Sequence, residues 1–242
     1  MSNVIEIGKT LIEESEYLYC QDYFRKENIK DIFPSDGFAR FYYCPPVADF
    51  YKNCFGLYAV SDVNILIKNN ELYVLDGHKH SFPINNNNEL DFHRVFSVDR
   101  YSIEYRIPQE VFISDTENVY LEIMPHPNAR YKNIISSRLN IHDWFRSIHI
   151  PYYQDSENEP FHLNLKKDEP LAMVRFITPN DKSVKFVELD FQKIKKYVNQ
   201  RENINICNAN EDTKNHKLWK NYFKFFSKKR PKNIIDYARI DK

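Results

Sequence analysis

The chain has 242 residues, with 34 Lys+Arg against 34 Asp+Glu, a 42% hydrophobic and 15% aromatic composition, 4 Gly and 12 Pro. These proportions are typical of a globular protein with its own core, and they exclude disordered, collagen-like and coiled-coil chains. No apolar run approaches the roughly 20 residues of a membrane-spanning helix. The N-terminus has neither a basic nor an apolar signal region. We therefore expect a cytosolic compartment, that of the cell itself or of an infected host.

The charge is distributed unevenly along the chain. Residues 191–242 carry 14 Lys+Arg against 5 Asp+Glu, and the first 190 residues carry 20 against 29. Such a division indicates either internal docking of the C-terminal part on the body or a basic arm for an anionic partner. The cysteines have no CxxC or paired spacing, which excludes zinc ribbons and disulfide scaffolds.

The first predicted elements are strands and one short helix. Residues from about 4 to 25 are apolar without a clean period and predict strand or mixed structure. A short aromatic strand at 38–43 is stopped by the prolines after Cys44. A helix is predicted over 47–55, starting at Pro46 and closed by Gly56.

The middle of the chain predicts antiparallel β-structure. Residues 63–68 and 71–76 flank Asn69-Asn70, which tolerates the positive φ of a two-residue hairpin turn. Further short apolar runs follow at near-even intervals, at 96–107, 119–124, 144–153, 161–165, 171–177 and 184–190. This spacing is typical of a sandwich or a barrel.

The period becomes helical after residue 190. Phe191, Ile194 and Val198 recur at helical spacing, and 213–229 predicts an amphipathic helix with aromatic and lysine sides. The predicted fold class is mainly β (α+β by count). It comprises an antiparallel β-sandwich, jelly-roll-like or β-clip-like body over 1–190 and a helical, basic C-terminal extension over 191–242.

Several sequence landmarks point to a family. They are Cys44-Pro45-Pro46 with Asp49 and Lys52-Asn53, Trp144-Phe145-Arg146, the run from Lys167 to Phe176, and Arg230-Pro231-Lys232. Together they resemble an uncharacterised protein family of tailed phages of marine bacteria, over about residues 40–235. The resemblance implies a phage origin, a β-rich fold and a location in the host cytoplasm or the virion. It implies no catalytic residue.

A looser similarity concerns the late motifs of dUTPase-like β-clip proteins. The segments 141–147 and 167–174 have the order of those motifs. In the matching register Trp144 takes the place of the carboxylate and Ser147 that of the glycine, and no Ser-Gly dipeptide follows Pro125. Nucleotide hydrolysis needs a carboxylate to activate water and backbone amides to hold phosphates, so we expect a shared turn and strand rather than a shared reaction.

The best metal candidate in the sequence is Asp76-Gly77-His78-Lys79-His80. On a strand, Asp76, His78 and His80 would share one face, a pattern that suits Fe, Zn or Mn in a cupin-like enzyme. Asp-Gly is equally a turn signature, and a turn would leave both imidazoles in solvent. Further ligand candidates are Glu89, His93, His126, His142, His149 and His162.

Two more binding sites are suggested. His126 and Arg130 lie in a proline-rich loop that is either an anionic-ligand site or a plain turn. Three alternative roles fit the basic helix. It binds nucleic acid, it adsorbs to an anionic membrane surface, or it packs on the acidic body. Its candidate binding residues are Lys217, Trp219, Lys220, Phe223, Lys224, Lys228 and Arg230.

No motif in the sequence indicates catalysis. Ser136-Ser137, Cys44 and Cys54 lack the context of a nucleophile. The glycines are too widely spaced for a phosphate-binding loop, which excludes ATP- and NAD-binding folds. We therefore expect a non-enzymatic interaction or structural protein without a cofactor, with a protein partner or self-association. The alternatives are a metal-dependent enzyme using His78 and His80, or a nucleic-acid accessory protein.

Overall fold

The computed structural model describes residues 4–11, 23–32, 44–68, 71–75, 96–99, 102–105, 110–143, 145, 147–153, 160–202 and 231–240. Its strands are β1 Val4–Leu11, β2 Phe24–Lys26, β3 Cys54–Tyr58, β4 Val63–Lys68, β5 Glu71–Val74, β6 Phe96–Asp99, β7 Ser102–Tyr105, β8 Glu110–Ile113, β9 Tyr120–Pro125, β10 Ser137–Asn140, β11 Ile150–Tyr153, β12 Phe161–Leu165, β13 Pro170–Ile177 and β14 Ser183–Glu188. Its helices are α1 Ile29–Ile32, α2 Pro45–Tyr51, α3 Phe191–Glu202 and α4 Ile234–Ala238, with a 3-10 turn at Pro179–Asp181. None of the helices in these ranges has the length and apolarity needed to cross a membrane.

The strands pair into several sheets. A five-stranded sheet has the order β10-β9-β13-β3-β2, and three-stranded sheets have the orders β14-β1-β8, β11-β7-β6 and β12-β4-β5. Neighbouring strands are antiparallel, except that β1 runs parallel to β14, with Val4 opposite Ser183. The prediction of a mainly β, sandwich-like body with antiparallel sheets is confirmed.

An aromatic cluster joins two of these sheets face to face. Phe55 of β3 lies with its ring centroid 5.0 Å from that of Phe24 and 5.0 Å from that of Phe186. Phe112 and Phe176 complete the cluster, with their centroids 5.2 Å apart. Phe24, Phe55 and Phe176 belong to the five-stranded sheet, whereas Phe112 and Phe186 belong to the sheet of β14, β1 and β8. Burial of these rings makes them a large part of the core's hydrophobic stabilisation.

The other face of the β14-β1-β8 sheet is covered by helices. Val111 and Ile113 point away from the aromatic cluster, since side chains alternate along a strand. They form a second buried cluster with residues of α3 and α4, namely Phe191, Ile194, Val198, Ile234, Ile235 and Ala238. The described C-terminal segments 191–202 and 231–240 therefore dock on the body.

The hairpin predicted from Asn69-Asn70 is observed in β4 and β5, where Lys68 lies opposite Glu71. The predicted helix over 47–55 is wrong in its end, because α2 stops at Tyr51 and β3 begins at Cys54. Gly56 lies within β3, opposite Met173 of β13, and does not close a helix.

Candidate functional site

Many candidates from the sequence lie outside the described residues. These are the metal-ligand candidates Asp76, His78 and His80, and the basic-helix residues Lys217, Trp219, Lys220, Phe223, Lys224, Lys228 and Arg230. Within the described ranges, no group of three or more His, Cys, Asp and Glu side chains is arranged to hold a metal ion.

His126 and Arg130, the proposed anion pair, have different partners. His126 is 2% exposed and faces Glu27. The guanidinium of Arg130 contacts Glu169, with Nε 3.0 Å from Oε1, and donates from Nη1 to the Asn164 carbonyl at 2.8 Å. The anionic-ligand site stays a prediction, since the described contacts of both side chains are made within the protein.

Glu27 and His126 are buried, and together with the half-buried Tyr58 they form what we call the buried cluster. Glu27 follows β2 and His126 follows β9, so the sheet brings them together from opposite sides of β3 and β13. The Tyr58 hydroxyl donates to Glu27 Oε1 at 2.9 Å, and His126 Nε2 lies 3.2 Å from the same oxygen. A Cβ on Gly56 would collide with that oxygen, so glycine makes room for the carboxylate.

The ring of His126 is fixed by its partners on both sides. Its Nδ1 accepts the backbone N–H of Asn128 at 3.1 Å. A neutral imidazole has one donor and one acceptor, so Nε2 carries the proton and donates it to Glu27. Both donors, the hydroxyl and the imidazole, therefore converge on one buried carboxylate oxygen.

A second Glu-His-hydroxyl set lies on β7 and the segment leading into β11. Ser147 Oγ is 2.9 Å from His149 Nε2, and His149 Nδ1 is 3.2 Å from Glu104 Oε2. Ser147 is 2% exposed, while the side chains of His149 and Glu104 are 15% and 32% exposed. We call Glu104, His149 and Ser147 the relay.

The direction of the relay follows from its donors and acceptors. A carboxylate only accepts hydrogen bonds, so His149 Nδ1 carries the ring proton and donates it to Glu104. In the neutral imidazole, His149 Nε2 is then the acceptor for the hydroxyl proton of Ser147. The order carboxylate, Nδ1, Nε2, hydroxyl is the one that lets an imidazole act as a base toward a serine.

The relay continues into an exposed apolar patch. Glu104 lies opposite Pro151 in the β7-β11 pair. On the other side of β11, Ile135 donates its N–H to the Pro151 carbonyl at 2.8 Å, so these two residues are also opposite each other. Ile135 and Tyr153 are 43% and 44% exposed. We call Glu104, Ile135, His149, Pro151 and Tyr153 the β11 face.

The buried nucleophile candidate Cys54 is not activated. It is 0% exposed, and its thiol donates to the Phe50 carbonyl at 3.2 Å. Burial raises the pKa of Cys54 to about 12, against the opposing effect of Arg175 and Lys26. A thiolate is the reactive form of cysteine, so this environment disfavours reactivity.

A pocket of about 510 Å³ opens between the start of β1 and α4. Its carboxylates already have partners within the protein. Asp115 accepts the backbone N–H groups of Ile234 and Ile235 at 3.0 and 2.9 Å, and Glu6 pairs with Arg239 at 2.6 Å. These contacts fasten α4 to the body.

The comparisons with known proteins add no relative. No protein-family model matches the chain, and no match is found among curated proteins or solved structures.

The relay is not predicted as a unit by the sequence. His149 is predicted only as a remote metal-ligand candidate, and Ser147 and Glu104 have no predicted role of this kind. The available signal was the Ser-x-His spacing, because residues two apart on a strand share a face. The pairing of β7 with β11 that adds Glu104 is not visible in the sequence.

Proposed function

We propose that the chain is a structural or interaction protein of the phage type, associated with the virion, and that it acts by binding. The observation that carries the proposal is the β11 face, where Ile135 and Tyr153 expose apolar side chains from a hydrogen-bonded ladder. Exposed apolar groups that share one face are a feature of protein interaction sites.

The ladder holds the β11 face in a defined shape. Tyr153 donates its N–H to the Asn133 carbonyl at 2.9 Å, and Asn133 Nδ2 returns a hydrogen bond to the Tyr153 carbonyl at 2.6 Å. A surface that is already ordered loses little conformational freedom on binding. The partner to test first is a second copy of the chain, because self-association needs no further component.

The experiment is sedimentation velocity over a range of protein concentrations. We expect the wild-type protein to sediment as a dimer or larger species and the double variant Ile135→Ser/Tyr153→Ser to be a monomer. The matched control is Tyr237→Ser, since Tyr237 is 46% exposed on α4, away from the β11 face. A wild-type protein that stays monomeric, or a control that dissociates equally, would contradict the proposal.

Nucleic-acid binding by the basic segment is the alternative favoured by charge. Docking of 231–240 means that deletion of residues 212–242 would also remove buried Ile234, Ile235 and Ala238. Substitution of Lys217, Lys220, Lys224 and Lys228 by Gln is the better variant, and salt-dependent binding lost in this variant supports the alternative. The metal-dependent enzyme using His78 and His80 is tested by elemental analysis of protein purified without a His-tag.

A further inference from the structure

Beyond binding, we propose that the relay is an acyl-transfer site, with Ser147 as nucleophile, His149 as general base and Glu104 as the positioning residue. The substrates are esters of small carboxylic acids. Glu104 and His149 of the relay also belong to the β11 face, so hydrolysis is measured in the Ile135→Ser/Tyr153→Ser variant as well, where self-association and acyl transfer can fail independently.

The atoms of the relay are in the right order for this chemistry. The Ser147 hydroxyl meets Nε2 of His149 at 2.9 Å, within the reach required of a nucleophile and its base. The opposite nitrogen faces Glu104 at 3.2 Å, which holds the ring in the tautomer that can accept the serine proton.

The backbone holds the relay in place from both sides. Ser147 bridges Val111 of β8, and the next residue, Ile148, donates its N–H to the Glu110 carbonyl at 2.9 Å. Glu104 is fixed by the β7-β11 pairing, where it lies opposite Pro151. The serine and the positioning carboxylate thus lie on paired backbone, with His149 between Ile148 and the start of β11 at Ile150, and such support keeps catalytic geometry within narrow limits.

The exposure along the relay limits the size of the acyl group that can reach Ser147. Glu104 and His149 are partly exposed, and Ser147 is 2% exposed at the inner end. An acyl group that reaches Ser147 must therefore be small, and the acetyl group is the first choice. The leaving alcohol lies on the His149 side, where its oxygen can receive a proton.

The reaction balances without a cofactor. Ser147 Oγ attacks the carbonyl carbon of the ester and gives its proton to His149 Nε2. The bond between that carbon and the alcohol oxygen breaks, and His149 returns the proton to the alcohol. Water then attacks the acyl-serine with His149 as base, the serine ester bond breaks, and Ser147 regains its proton as the carboxylic acid leaves.

The test is hydrolysis of p-nitrophenyl acetate together with labelling by a fluorophosphonate probe. We expect a burst of nitrophenol and a label that peptide mass spectrometry places on Ser147. Ser147→Ala should lose at least roughly 100-fold in rate, consistent with the loss of a catalytic serine. Ser114→Ala is the matched control, because Ser114 is also buried but bonds Thr116 instead.

Glu104→Gln tests the positioning role. We expect a fall in kcat of at least about 10-fold with little change in KM, since the carboxylate holds the base and does not touch the substrate. Glu104→Asp should restore part of the rate. Mapping the label in wild-type protein keeps the test valid if a variant fails to fold. Hydrolysis unchanged in Ser147→Ala, a label elsewhere, or a rate no greater than that of free imidazole would overturn the proposal.

Discussion

The two Glu-His-hydroxyl sets of this chain use the same groups in different ways. In the buried cluster, the Tyr58 hydroxyl and His126 both donate to one oxygen of Glu27. In the relay, Glu104, His149 and Ser147 are connected in series. Two hydrogen-bond donors that meet at one carboxylate oxygen stabilise its negative charge. Groups that are hydrogen-bonded one after another connect a base to a hydroxyl.

Burial of the carboxylate and of the imidazole separates the two sets in the same direction. Glu27 and His126 are 5% and 2% exposed in their side chains, against 32% and 15% for Glu104 and His149. Loss of one member of a buried pair leaves the other unpaired in a low dielectric, which is costly. Loss of a partner at the surface is compensated by water. The comparison therefore assigns the first set to stability and the second to chemistry.

The largest expected effect is that of Glu27→Ala. It leaves the buried His126 donor and the half-buried Tyr58 donor without the Glu27 acceptor and should lower the free energy of unfolding by about 3–5 kcal/mol. Urea denaturation measures this loss. Glu104→Ala is the matched control and should cost less than about 1 kcal/mol. A loss below about 1 kcal/mol for Glu27→Ala would contradict the assignment of the buried cluster to stability.

Gly56→Ala should act through the same carboxylate. The new Cβ would collide with Glu27 Oε1 and lie 2.6 Å from Tyr58 Cε2, so we expect a loss of about 1–3 kcal/mol. In a Glu27→Ala background the cost should be smaller, because one of the two obstacles is gone. Equal costs in the two backgrounds would show that the residues are not coupled.

Glu110 adds a pH dependence next to the relay. Burial raises the pKa of Glu110 to about 7 from 4.5, against the opposing effect of Lys9, whose Nζ is 3.8 Å away. The folded state thus keeps a proton that the unfolded chain releases, and the free energy of unfolding should fall as pH rises from about 4.5 to 7. The slope should reach about 1.4 kcal/mol per pH unit and vanish above that window.

The variant that removes this slope is Glu110→Gln. Glu188→Gln is its control, since Glu188 also contacts Lys9, at 3.0 Å, but its side chain is 48% exposed. Urea denaturation across the pH range compares the two variants. An unchanged slope in Glu110→Gln would contradict the assignment. The Glu110→Gln variant also allows the rate of ester hydrolysis at the relay to be measured across the pH range without the titration of Glu110.

The smallest expected effects on stability are those at the relay, and Ser147→Ala is one of them. It removes the hydroxyl donor from His149 Nε2, and the imidazole is partly exposed, so the loss should be below about 1 kcal/mol. Thermal unfolding measures it. A loss as large as that of Glu27→Ala would place the relay among the stabilising clusters.

Elements governed by local pattern were predictable from the sequence. The β4-β5 hairpin follows from alternation on both sides of Asn69-Asn70. Strand β8 was missed because all four of its residues are buried, so it shows no alternation. The sequence predicts a helix end at Gly56, whereas the structure requires glycine there because Glu27, which follows the neighbouring strand β2, occupies the space of a Cβ.

Long-range pairings were not predictable. The parallel β1-β14 pair joins Val4 to Ser183, and the relay joins Glu104 to His149 across 45 positions. Neither partner carries a local signal for the other. Sequence reasoning could therefore suggest the face on which Ser147 and His149 lie, but it could not supply the carboxylate that orients the imidazole.

The most direct test of the assignment is the free energy of unfolding of His126→Ala and His149→Ala, measured side by side in urea at one pH. The account predicts a loss of about 3–5 kcal/mol for His126→Ala and less than about 1 kcal/mol for His149→Ala. Equal losses, or a larger loss at His149, would contradict the division of the two histidines between stability and chemistry.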